Sequence, residues 1–213
     1  MSSFSENNIF VLYIHMSKFI LITTAAILSI SMKIFIIGFN KTGTRTLDNY
    51  FSENLIPSIH WDNGRLAKQI KYNYENGIKI LTGYEKYIVF SDMEDYKNLN
   101  YAHVDYFREF DKMYPESKFI LNIRDVEKWI KSRNNHGTYT KVLCKKLNVT
   151  KEVLNQKWRD DYYNHKKSVI NYFSDKPNKL LIFDIEKDSI QKLNDFFPEL
   201  QLNAKHYKHM GKT

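Results

Sequence analysis

Apolar residues in this chain fall into short β-branched runs that alternate with stretches of helical spacing. Lys33-Ile34-Phe35-Ile36-Ile37 reads as a buried strand, and Leu47, Tyr50, Phe51 and Leu55 recur behind it at the helical period. Ile56–Trp61 predicts a short second strand ending at His60, followed by a helix over 63–75 with Leu66, Ile70 and Tyr74 on one face. Ile78–Leu81 is a brief apolar run between Gly77 and Gly83. Tyr87–Asp92 predicts a buried strand that carries Asp92 at its C-terminal end. Val104, Phe107, Phe110 and Tyr114 mark a helix that stops before Pro115. Lys118–Asp125 is the next strong strand, and Asp125 can cap the helix that follows, on which Val126, Trp129 and Ile130 share a face. Helices are expected around 138–147 and 150–173, the longer with Leu154, Trp158, Tyr162, Val169 and Phe173 as a core stripe. Lys179–Ile185 predicts the last strand, and 188–196 the last helix. Strands alternating with helices predict an α/β fold: a mainly parallel central sheet flanked by helices on both faces.

Residues 1–31 do not fit this pattern. Two apolar runs, Ile9–Ile14 and Phe19–Ile30, are separated by His15, Met16, Ser17 and Lys18. A bilayer-spanning helix needs about 20 apolar residues, and the start Met-Ser-Ser-Phe-Ser-Glu lacks the positive region of a secretory signal. Met32 sits immediately before the first strand. The expected organisation is an N-terminal apolar extension, 1–31, and a single domain over 32–213. An upstream extension of the reading frame and a weak signal-anchor are the two readings of the extension. They correspond to a cytoplasmic protein and to a membrane-anchored one.

Composition narrows the picture only a little. The chain has 213 residues, 43% of them apolar, enough for one sizeable core. Lys and Arg exceed Asp and Glu by 32 to 24, which suits an anionic ligand. The abundance of Lys, Asn, Ile and Tyr is also what AT-rich codons encode, so the balance does not establish one. Cys144 is the single cysteine, which excludes an internal disulfide and a Cys-based zinc site and favours a reducing compartment. Asn148-Val149-Thr150 matches a glycosylation sequon and reads better as a helix start. Basic residues such as Lys145, Lys146, Lys166 and Lys167 fall on helices, where solvated lysines are ordinary, so no nucleic-acid partner is expected.

The chemistry concentrates in the segment from Gly38 to Leu47. Strand, glycine-containing turn and helix form a phosphate cradle, because glycines let backbone N–H groups approach an anion and the helix N-terminus adds its positive dipole. Lys41, Thr42, Thr44 and Thr46 supply a cation and hydroxyl groups within it, beside Gly43 and Arg45. It is not a Walker A loop, in which the lysine follows the second glycine; here Lys41 precedes Gly43. The order Lys-Thr-Gly-Thr-x-Thr-Leu resembles instead the 5′-phosphosulfate loop of sulfotransferases, which use 3′-phosphoadenosine-5′-phosphosulfate (PAPS) as donor. Arg45 departs from the family pattern, which more often has a small or hydroxyl residue there. The second anchor is Tyr114-Pro115-x-Ser117-Lys118-Phe119-Ile120-Leu121-Asn122-Ile123-Arg124-Asp125-x-x-Lys128-Trp129-x-x-Ser132. It resembles the family's 3′-phosphate motif: a strand, an arginine at its end, and a serine eight residues later on the next helix. The resemblance runs from Lys33 to the late 130s and fades beyond.

The resemblance implies a P-loop-like α/β fold and transfer of a sulfuryl group from PAPS to a hydroxyl or amine, releasing 3′,5′-ADP. It implies that Lys41 stabilises the departing 5′-phosphate, that Arg124 forks onto the 3′-phosphate with a hydroxyl from Ser132, and that no metal is required. The acceptor then needs a general base. His60 and Asp92, both at strand ends, are the candidates; Glu94, His103 and His136 are expected to be surface or structural residues. The acceptor, a small molecule or a carbohydrate, is not legible. The competing readings are a P-loop kinase, which would need lysine after the glycine, and a non-catalytic nucleotide-binding module.

Overall fold

In the computed structural model residues 32–210 are described. The chain divides into two units, Met1–Met32 and Lys33–Thr213, and every element below belongs to the second. The apolar extension read over 1–31, with its anchor alternative, lies outside the described residues. No helix of the described residues is long and apolar enough to cross a membrane.

Five strands form the central sheet: β1 (Ile34–Ile36), β2 (Ser58–His60), β3 (Val89–Ser91), β6 (Lys118–Ile123) and β7 (Leu180–Asp184). Their order is β2-β3-β1-β6-β7, and every pairing is parallel. A parallel sheet buries both faces, and β1, at its centre, has all three residues fully buried. Phe35 sits level with Phe90 on one neighbour and Phe119 on the other, and its ring stacks at 4.4 Å on Phe110 of the covering helix.

Around the sheet lie α1 (Thr44–Glu53), α2 (Arg65–Glu75), α5 (Val126–Asn134), α6 (Tyr139–Leu147), α7 (Lys151–Phe173) and α8 (Ile190–Phe196). Asp125 caps α5 by accepting from Lys128 N at 2.9 Å, and Thr150 caps α7. All five residues of the expected α7 stripe are buried.

Two local expectations differ. The helix marked by Val104–Tyr114 is two pieces, α3 (Ala102–Asp105) and α4 (Phe107–Met113), because Tyr106 leaves helical geometry between them. A two-stranded ribbon, β4 (Glu94–Asp95) with β5 (Asn100–Tyr101), follows β3 where no strand was expected.

Candidate active site

The five parallel strands all point their C-terminal ends at one cleft of about 970 Å³. Each end delivers residues to it: the loop after β1, His60 from β2, Asp92 after β3, Arg124 after β6, and Ile185 with Glu186 after β7. Open α/β sheets form ligand crevices at this edge.

The loop after β1 is held from below. Asn122, buried in β6, accepts from Gly38 N at 2.8 Å and donates to Thr42 O at 3.1 Å and Thr42 Oγ1 at 2.6 Å. Gly38 has to be glycine because a Cβ there would lie 2.1 Å from Asn122 O. Lys41 adopts a left-handed backbone (φ 65°), a conformation costing a non-glycine residue energy and typical of ligand-binding turns. Gly43 caps α1 at φ 90°, and a Cβ on it would meet Ile185 Cγ1 at 2.5 Å. No side chain caps α1, and no acidic residue stands in its first turn. The first N–H groups of a helix have no partner within it, so this N-terminus presents donors and a positive dipole end to the cleft.

The loop residues do different jobs. Gly43, Thr44, Arg45 and Thr46 line the cleft together with Lys41. The Thr42 hydroxyl does not: it is fully buried, accepts from Asn122 and donates to Phe39 O, so it braces the loop from inside. A ligand-facing Thr42 hydroxyl, expected from the motif, is therefore replaced by a structural one. Thr46 Oγ1 accepts from Met210 N at 3.0 Å, which ties the C-terminal tail to the loop. Burial, then Arg45 and Arg124, lower the Lys41 pKa, opposed by Asp92.

Arg124 lies across the same cleft. Its Nη1 donates to Lys41 O at 3.1 Å and its Nη2 to Glu186 Oε1 at 2.9 Å, while its buried Nε has no partner among the described residues. Lys128 Nζ reaches the other oxygen of Glu186 at 3.3 Å. Ser132, buried on α5, lines the wall beside them. Arg124 is thus joined to the Lys41 loop and to a local carboxylate.

Opposite stands the titratable group. His60 Nδ1 is 3.0 Å from Ser91 Oγ, and Nε2 is 3.4 Å from Asp92 Oδ2. Burial, assisted by Arg45, pushes the His60 pKa down to about 4. Burial and neighbouring Glu94 raise the Asp92 pKa well above its ordinary value. Asp92 carries φ 51°, a second strained residue at the site.

Glu94 is not a surface residue. It is 2% exposed and lines the cleft; Asn40 Nδ2 donates to its Oε1 at 2.6 Å, and Arg133 lies 3.8 Å from its Oε2. Burial takes its pKa to about 7, with Arg133 opposing. Arg133 is buried within the rings of Trp129 (4.6 Å), Trp158 (4.6 Å), Tyr139 (5.0 Å) and Phe39 (5.6 Å). His103 is structural, fully buried with Nδ1 on Met93 O, and His136 lines the cleft. Arg133 and Glu186 are the residues that sequence reasoning missed, and Glu94 is one that it ranked behind His60 and Asp92. Their roles come from partners far along the chain, and only the acid two residues after Asp92 was a local signal.

Compared with known proteins, residues 33–152 match a family model described as a sulfotransferase domain. No curated protein matches the chain.

Proposed function

The chain belongs to the sulfotransferase family, and we propose that it transfers a sulfuryl group from PAPS to a hydroxyl or amine, releasing 3′,5′-ADP. PAPS supplies an activated sulfuryl group on a phosphate leaving group. The observation that carries the reading is that the uncapped, acid-free N-terminus of α1 and the Arg124 guanidinium open into one cleft. An adenosine phosphorylated at both ends needs two such grips within one molecule's reach.

The N-terminal amides of α1 and the Lys41 ammonium hold the 5′-phosphate, where charge grows as the bridging bond breaks. Arg124 binds the 3′-phosphate through its fork, and Ser132 stands on the same wall. His60 takes the acceptor proton on Nε2, where the acceptor hydroxyl or amine replaces Asp92 Oδ2, now 3.4 Å away, as the partner of that nitrogen. A pKa near 4 keeps His60 unprotonated at neutral pH, ready to accept. The arriving polyanion offsets the field of Arg45 and makes the imidazole more basic inside the complex.

Calorimetry with 3′,5′-ADP and with AMP tests the two grips, and a labelled-PAPS screen over small alcohols, phenols, amines and sugars tests transfer. Preference for 3′,5′-ADP over AMP together with label transfer supports the assignment. Binding without transfer to any acceptor would favour the non-catalytic module. Magnesium-dependent ATP turnover would favour the kinase.

A further inference from the structure

We propose that Glu186 is a resident carboxylate of the 3′-phosphate grip, one that a 3′-phosphate must displace and that thereby holds down the site's affinity for the bisphosphorylated nucleotide. The proposal rests on the assignment of Arg124 to the 3′-phosphate made above.

Glu186 Oε1 accepts from Arg124 Nη2 at 2.9 Å and Oε2 from Lys128 Nζ at 3.3 Å, so one carboxylate spans both cations of this wall. A carboxylate held between a guanidinium and an ammonium has the contacts that a phosphate oxygen pair would make. Glu186 stands in the ionised form: although burial alone would raise its pKa, the hydrogen bonds from Arg124 and Lys128 bring it below the ordinary glutamate value. Asp92 and Glu94, the other acids named in the cleft, are both raised by burial. Glu186 is therefore the acid that stands closest to the anion grip and repels an incoming phosphate most.

The side chain can move while its backbone stays. Glu186 N donates to Asp184 Oδ1 at 3.0 Å, and the preceding Ile185 N donates to Ile123 O at 3.0 Å, which pins the main chain to the end of β7. The side chain is 24% exposed, so one side of it already faces solvent. Arg124 keeps its bond to Lys41 O throughout and stays aimed into the cleft. A dianionic phosphate outcompetes a monoanionic carboxylate for this pair, whereas a nucleotide without a 3′-phosphate leaves Glu186 in place and gains nothing from Arg124.

The test is the affinity of wild type and Glu186→Gln for 3′,5′-ADP and AMP by calorimetry, with circular dichroism to check the fold. Glutamine keeps the size and removes the competing charge. The expected result is about tenfold tighter binding of 3′,5′-ADP and a change of less than about twofold for AMP. Unchanged or weaker 3′,5′-ADP binding would overturn the proposal, because Glu186 would then be holding Arg124 in place. Equal gains for both nucleotides would also overturn it, as a general charge effect. If Glu186→Gln fails to fold, Glu186→Asp, which keeps the charge and shortens the reach, is expected to show a smaller gain for 3′,5′-ADP alone, and no gain overturns the proposal. Wild type that binds neither nucleotide, or both equally, sinks the donor assignment itself and this proposal with it.

Discussion

Lys41 combines a left-handed backbone, a position on the anion loop and a lowered pKa. Lys41→Ala should leave the fold intact and reduce turnover by roughly 10²–10³, the scale of losing one transition-state donor; steady-state kinetics on the identified acceptor would check it. The ammonium must be charged to act, so activity should decline on the alkaline side as pH rises through this lowered pKa. Arg45→Ala, which removes a neighbouring cation, should move that limb upward. His60 gives the acid side. It must be unprotonated to accept, so kcat/KM, which reports free enzyme, should fall only as pH drops towards about 4. The same limb in kcat should lie higher, because the bound anion favours the imidazolium; coincident limbs in the two profiles would remove His60 as the base. Gly43 is constrained twice, by its φ and by Ile185. Gly43→Ala should cost about 1–3 kcal/mol in a denaturant titration. Adding Ile185→Ala should recover only part, since it relieves the clash and not the backbone strain.

At the scale of elements, the loop between β1 and α1 depends on β6 as much as on its own residues. Asn122→Leu would leave Gly38 N and Thr42 O without buried partners, at about 1–3 kcal/mol for each unsatisfied group, while the Thr42 hydroxyl keeps its bond to Phe39 O. The denaturation midpoint should drop and 3′,5′-ADP should bind more weakly, while the sheet survives. A second dependence runs through α7, where buried His165 bonds Ile37 O at 2.7 Å through Nε2. Burial lowers its pKa to about 4, below the 6.5 of an exposed histidine. A histidine depressed in the folded state contributes full stability above pH 6.5 and loses it as pH falls from there to about 4. The loss is about 3 kcal/mol at most. His165→Gln, which can retain the bond to Ile37 O, should therefore close part of the stability gap between pH 7.5 and pH 4.5.

Elements with an uninterrupted period were legible along the chain: the strands at 34–36 and 118–123, the long helix, and the caps at Asp125 and Thr150 all declare themselves within a few residues. The β4–β5 ribbon did not, because two-residue strands carry no period. Neither did the break at Tyr106, since the apolar spacing of Val104, Phe107 and Phe110 runs across it unchanged.

For the molecule as a whole, the parallel sheet turns distant segments into neighbours. Lys41 and Arg124 each sit in a readable local motif, and the sheet order alone brings them into one cleft. Glu186, Glu94 and Arg133 have no motif; their meaning exists only once β7 lies beside β6 and α5 packs over the loop, with Trp129 Nε1 donating to Asn40 O. The formal charge of +8 adds a diffuse field to these local contacts. Association of 3′,5′-ADP should accordingly slow as salt rises from about 0.05 M to 0.5 M, while dissociation changes less; stopped-flow measurement would separate the two.

The seat of the loop beneath Asn122 also fixes how its protons trade with water. Gly38 N–H, sealed on a buried side-chain oxygen, should be among the slowest to take up deuterium, released only when β1 and β6 part. The amides at the mouth of α1, a few residues away, should label quickly until an anion covers them. A single isotope-labelling time course would then report both the integrity of the sheet and the occupancy of the cleft.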